Sequence, residues 1–117
     1  MYNPVYNSLG LLFFTPIISY SIKGLFALIV FLNGILCHGS NYLEYEYSKE
    51  ITLYDIVCNV IMGIYILITV KENLLLIAFV ECIAVFCFII NKIRYNSSPI
   101  LHVLGIQLPL AIGLYNY

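Results

Sequence analysis

Residues 23–39, KGLFALIVFLNGILCHG, form a clear apolar run of membrane-spanning length. Between Lys23 and Gly39 lie only apolar residues and glycines, apart from Asn33, Cys37 and His38. Wound as an α-helix, the run covers roughly 25 Å, which approaches the thickness of the hydrocarbon core of a bilayer. We therefore expect these residues to cross a membrane.

The composition of the whole chain points to the same environment. Hydrophobic residues make up 62% and charged residues 9%, and the mean hydropathy is +0.98. A soluble protein of this size needs more polar surface, so a bilayer is the expected solvent. The net charge is -1 and the chain has no basic patch, so we expect no nucleic-acid partner. We expect one integral membrane domain, residues 1–117, surrounded by membrane lipids and able to join a homo-oligomer or a larger membrane complex.

Other apolar runs extend the pattern towards both ends of the chain. On the carboxyl-terminal side they are residues 52–70, 73–90 and 99–114. Ser98 followed by Pro99 is typical of a helix start, and Pro109 interrupts the run that follows. Residues 8–21 are apolar but short, and they contain Pro16. The sequence thus predicts an all-α fold, a polytopic transmembrane helix bundle of five helices, or of four if residues 8–21 do not span.

Three ionisable residues are predicted to lie within about one helical turn of the same membrane side. His38 ends one predicted helix there, Asp55 begins the next, and His102 follows the start of the last. Such residues are common at membrane edges, where water reaches them. Two imidazoles and one carboxylate from three helices would also suit Zn²⁺ or Fe²⁺, leaving a position open for water. His38, Asp55 and His102 are therefore candidate metal ligands, and the two histidines are alternatively candidate axial ligands of a haem.

Glu81 stands near the middle of its predicted helix, where a carboxyl costs about 2.5–3.5 kcal/mol to insert. Such a group is expected to face other helices and to be protonated or paired. Asn59 lies one turn deeper than Asp55 on the same helix face, and Gln107 lies deeper in the last helix. A hydrogen bond from Glu81 to Gln107 or Asn59 would join helices, whereas an unpaired Glu81 would suit a proton or ion relay.

The residues around the histidines resemble the alkaline ceramidase-like superfamily of membrane hydrolases. The resemblance is carried by Asn33-Gly-Ile-Leu-Cys-His38, by Tyr54-Asp55 and by Ser98-Pro-Ile-Leu-His102. It implies that a zinc-bound water cleaves an amide in a membrane lipid. By this resemblance His38 matches the family's first histidine, Asp55 its catalytic acid, and His102 the second histidine of its terminal pair. Gly34 and Ser98 stand where the family has a serine and a further histidine.

A second similarity concerns Glu81. The segment from Lys71-Glu-Asn-Leu-Leu-Leu to Glu81 looks like part of the smallest proton-channel subunit of respiratory complex I, with Gln107 where that family needs a second glutamate. Three hypotheses follow. The leading one is a structural or accessory membrane component with a buried polar cluster. The alternatives are a reduced zinc-dependent lipid amide hydrolase, should the chain be an enzyme, and a proton-conducting or redox-complex subunit that uses Glu81.

Overall fold

The computed structural model describes residues 3–94 and 98–117, which contain helices and no strand. Helix α1 continues directly as a 3₁₀ helix, and a π-helix leads into α5. The elements are α1 (Pro4–Ser8), the 3₁₀ helix (Leu9–Ile17), α2 (Ile22–Tyr42), α3 (Ser48–Thr69), α4 (Leu74–Ile93), the π-helix (Leu101–Gln107) and α5 (Leu108–Tyr115). The prediction of an all-α fold with five helical segments is confirmed.

Three of the described helices, α2, α3 and α4, are long and apolar enough to cross a membrane. They have 21, 22 and 20 residues. Helices α2 and α4 continue past the carboxyl-terminal ends of their predicted runs, and α3 begins before its predicted run, because polar residues there continue the helices. Their outward surfaces are apolar, and Ile68 and Leu75 are 76% and 86% exposed. Patches of this kind are unfavourable in water and favourable in lipid. These helices fit a membrane protein.

The first helical segment, formed by α1 and the 3₁₀ helix, packs against α2, the π-helix and α5. Leu11, Phe14 and Ile17 are buried along it. A 3₁₀ helix rises about 2.0 Å per residue and an α-helix about 1.5 Å, so the segment reaches roughly 25 Å. The 3₁₀ geometry thus lengthens a run that would be short for a membrane span if it were wholly α-helical. The hydroxyl of Thr15 donates to the carbonyl of Leu12, three residues back, which follows the 3₁₀ spacing.

The last helical stretch begins at Pro99, as predicted, and runs through Pro109 to Tyr115. Proline cannot donate a backbone hydrogen bond, and its ring crowds the carbonyl four residues back, which here belongs to Gly105. The residues preceding this position take the wider π-helical form, which accommodates such an interruption. The predicted break at Pro109 is therefore a change of helix type within a continuous helical stretch.

Short connections make successive helices antiparallel, so the bundle has two ends. The end that carries His38 and His102 is called the histidine side, and the opposite end the Lys23 side. On the Lys23 side, Lys23 Nζ donates to the carbonyl oxygen of Tyr115 at 2.6 Å and lies 4.7 Å from the ring centroid of Tyr20. Thr69 Oγ1 lies 2.5 Å from the Tyr117 hydroxyl. These contacts hold the carboxyl-terminal residues against the start of α2 and the end of α3.

Helix α3 lies at the edge of the bundle. Its backbone approaches α2 more extensively than it approaches α4, and among the described residues it approaches no other helix. Ile66 is its one buried residue. The limited approach to α4 leaves a gap between the two helices, and Asn59 of α3 and Glu81 of α4 line a cavity there.

Candidate functional site

The structure brings His38 and His102 together. Their ring centroids lie 5.4 Å apart, and the ring planes meet edge to face at 89°. His38 is 7% exposed. Next to it, Cys37 Sγ donates to Thr52 Oγ1 at 3.4 Å, which fixes the height of α2 against α3 on this side.

Asp55 does not complete a three-ligand set with these histidines. In residues 3–94 and 98–117 there is no group of three or more His, Cys, Asp or Glu side chains that could hold a metal ion. The reason lies in the packing, since Asp55 is on α3 and α3 does not approach the helical stretch that carries His102. Of the three predicted ligands, His38 and His102 are in contact with each other, and they form no metal-binding group with Asp55. The Asp55 Oδ1 atom is buried without a hydrogen-bond partner in the described chain.

Glu81 and Asn59 line the same small cavity between the helices. The cavity has a volume of about 50 Å³, and its remaining wall is apolar or glycine. The Glu81 Oε2 atom is buried and accepts no hydrogen bond from the described residues. Gly63 makes room for the carboxyl, because a Cβ at this position would lie 2.5 Å from Glu81 Oε1. The full lining is Phe14, Phe26, Val30, Asn59, Met62, Gly63, Ile66, Ile77, Glu81, Leu110, Gly113 and Leu114.

Gln107 faces a different helix interface. Its side chain lies against Gly10, where any Cβ would overlap the Gln107 amide. Its Oε1 atom is buried and unpartnered within the described residues, and Gln107 does not line the cavity that holds Glu81. The predicted hydrogen bond from Gln107 to Glu81 is therefore not formed, because the 3₁₀ segment inserts its glycine against the last helix at that level.

Asn33 carries a further buried polar atom, to which the residue pattern assigned no role. Its Nδ2 donor has no hydrogen-bond partner in the described chain. Asn33 lies between Val30, which lines the cavity, and Cys37, which contacts α3, so all three occupy one face of α2. The signal in the sequence was a single amide in an otherwise apolar run, which is costly to bury without a partner.

Comparisons of the chain with protein-family models, with curated proteins and with solved structures find no match.

Proposed function

We propose that this chain is a proton-handling component of a membrane assembly, in which Glu81 takes up and releases a proton within the bilayer. The observation that carries the proposal is the Glu81 carboxyl at the cavity, with one oxygen buried and unpartnered. A cavity of about 50 Å³ has room for water, which needs polar partners to be held. The Glu81 carboxyl and the Asn59 amide supply such partners.

The apolar wall of the cavity favours the neutral acid over the carboxylate. No ion pair to Glu81 is formed within residues 3–94 and 98–117, and the cavity lining contains no cation. A carboxylate there would be desolvated without a counter-ion, which is unfavourable at membrane depth. A carboxylic acid with water beside it can give up its proton and regain it, as a relay group does.

The two other hypotheses receive less support from the geometry. A carboxyl that serves to join helices needs a hydrogen-bond partner across the interface, and the Glu81 Oε2 atom lacks one among the described residues. A zinc-dependent lipid hydrolase with His38, Asp55 and His102 as ligands needs the three to converge, and they form no such group.

A hydrophobic carbodiimide tests the proposal on the purified chain. The neutral acid gives its proton to a carbodiimide nitrogen, and its oxygen adds to the central carbon to form an O-acylisourea. Migration of the acyl group to nitrogen then gives a stable N-acylurea, with no group leaving. We expect one adduct, mapped to Glu81 by peptide mass spectrometry. An unmodified Glu81 at mildly acidic pH would overturn the proposal.

A further inference from the structure

We infer that the proton site at Glu81 is reached from the histidine side alone, along a row of polar groups formed by Asp55, Asn33 and Asn59. This inference rests on the proposed function of Glu81. It adds the route by which a proton arrives, the side of the membrane that supplies it, and the residues that line the way.

The α3 half of the row follows from helix spacing. Asp55, Asn59 and Gly63 are four residues apart, so they stack on one face of α3. Asn59 lines the cavity and Gly63 lies against Glu81, so this face is turned towards the gap with α4. The rise from Asp55 to Gly63 is about 12 Å. The row therefore leads from the histidine side down to the level of Glu81.

The α2 half of the row lies opposite. The contact between Cys37 and Thr52 sets the antiparallel pairing of α2 and α3. Asn33 lies one helical turn from Cys37, and Asp55 lies one turn from Thr52, in both cases away from the histidine side. Asn33 and Asp55 therefore lie at the same level. The buried Asn33 Nδ2 atom on α2 and the buried Asp55 Oδ1 atom on α3 thus share one depth, and neither atom has a hydrogen-bond partner in the described chain.

Unsatisfied donors and acceptors at one level are the arrangement that a bridging water satisfies. Successive levels of the row offer Asn33 with Asp55, then Asn59, then the Glu81 carboxyl. Waters on such a row would link the histidine side to Glu81 by hydrogen bonds. Two charged side chains near this level act on the Cys37 thiol of α2, namely Asp55 of α3 and Lys92 of α4.

The other direction from Glu81 is closed by apolar packing. The cavity wall on the Lys23 side is built from Phe14, Ile66, Ile77 and Leu114, each at most 8% exposed and each part of the main hydrophobic cluster. From α2 and from the last helix, the side chains that face Glu81 are also apolar, among them Val30 and Leu110. Polar side chains that could pass a proton to Glu81 therefore lie only in the direction of the histidine side.

One-sided pH changes on wild-type proteoliposomes test the inference. Orientation is read from whether Lys49, on the histidine side, or Lys71, on the Lys23 side, reacts with a membrane-impermeant amine reagent; both side chains are exposed. Raising the pH on the histidine side should slow carbodiimide modification of Glu81, by about tenfold per pH unit once the carboxylate predominates. Raising it on the Lys23 side should leave the rate unchanged. A rate that follows the Lys23-side pH, or both sides equally, would overturn the inference.

A pair of matched variants tests the row itself. Asn59→Leu replaces a polar step of the row by an apolar plug, and we expect it to make the Glu81 modification rate insensitive to histidine-side pH on the timescale of the assay. Gln107→Leu makes the same chemical change at a buried amide outside the row and should keep the wild-type response. An unaltered response in Asn59→Leu would count against the row. Should that variant fail to fold, the wild-type one-sided measurement decides. Absence of any Glu81 adduct in wild type would instead refute the proposed function.

Discussion

Glu81→Gln should abolish modification of the chain by a hydrophobic carbodiimide. Glutamine keeps the size of the side chain and its ability to hydrogen bond, but it has no acidic proton to give to the reagent. Because Gly63 and the cavity already accommodate a side chain of this length, we expect the helical content and the thermal midpoint to stay close to those of the wild type. The measurement is intact-mass spectrometry after labelling in detergent micelles.

Glu72→Gln is the matched control for this prediction. Glu72 lies exposed in the connection between α3 and α4, so the same substitution there should leave the yield of adduct unchanged. An adduct retained in Glu81→Gln would mean that another carboxyl, such as that of Asp55, is the reactive acid. That result would contradict the role assigned to Glu81.

Gly10→Ala should destabilise the bundle by about 3 kcal/mol, the upper part of the range for overpacked interiors. The added methyl would overlap the Gln107 amide and would lie 2.7 Å from the Gln107 Cβ. A rotation of the Gln107 terminus cannot relieve the second contact, since the Cβ is fixed to the helix backbone. The first helical segment must therefore move away from the last one. The measurement is the thermal unfolding midpoint in detergent, followed by circular dichroism.

Gly39→Ala is the control for this second prediction. Nothing lies within 4 Å of a Cβ at that position. Alanine is the better helix former there, so the substitution should stabilise the protein by about 0.5–1 kcal/mol. Equal effects of the two substitutions, in sign and size, would show that the packing of Gly10 against Gln107 is not as described.

Much of the fold follows from hydropathy, because a bilayer requires long apolar helices and leaves few other solutions. The runs at residues 23–39, 52–70 and 73–90 all lie largely within the observed helices α2, α3 and α4. Residue spacing also placed Asn59 one turn below Asp55, because that relation is internal to a single helix. The placement of His38 and His102 on one side followed from the loops and agrees with their contact.

What the sequence could not supply is the rotation of each helix and the choice of its neighbours. Asp55 shares a membrane side with the histidines, but its helix does not approach the one that carries His102. Gln107 faces Gly10, because a 3₁₀ segment lies between the last helix and other possible partners. Small residues govern such approaches, and their partners depend on tertiary packing. The level of Asn33 relative to Asp55 depends on how α2 packs against α3, so the sequence alone does not show that the two residues lie at one depth.

Infrared spectroscopy of the Glu81 carboxyl shows whether this group holds an exchangeable proton. A neutral carboxylic acid has a C=O stretching band separate from that of a carboxylate, and the Glu81→Gln difference spectrum assigns it. We predict that membranes containing the wild-type protein show this band at mildly acidic pH, and that it disappears at alkaline pH and returns when the pH is lowered. A difference spectrum with only carboxylate bands, or with an acid band that persists at alkaline pH, would contradict an exchangeable proton at Glu81.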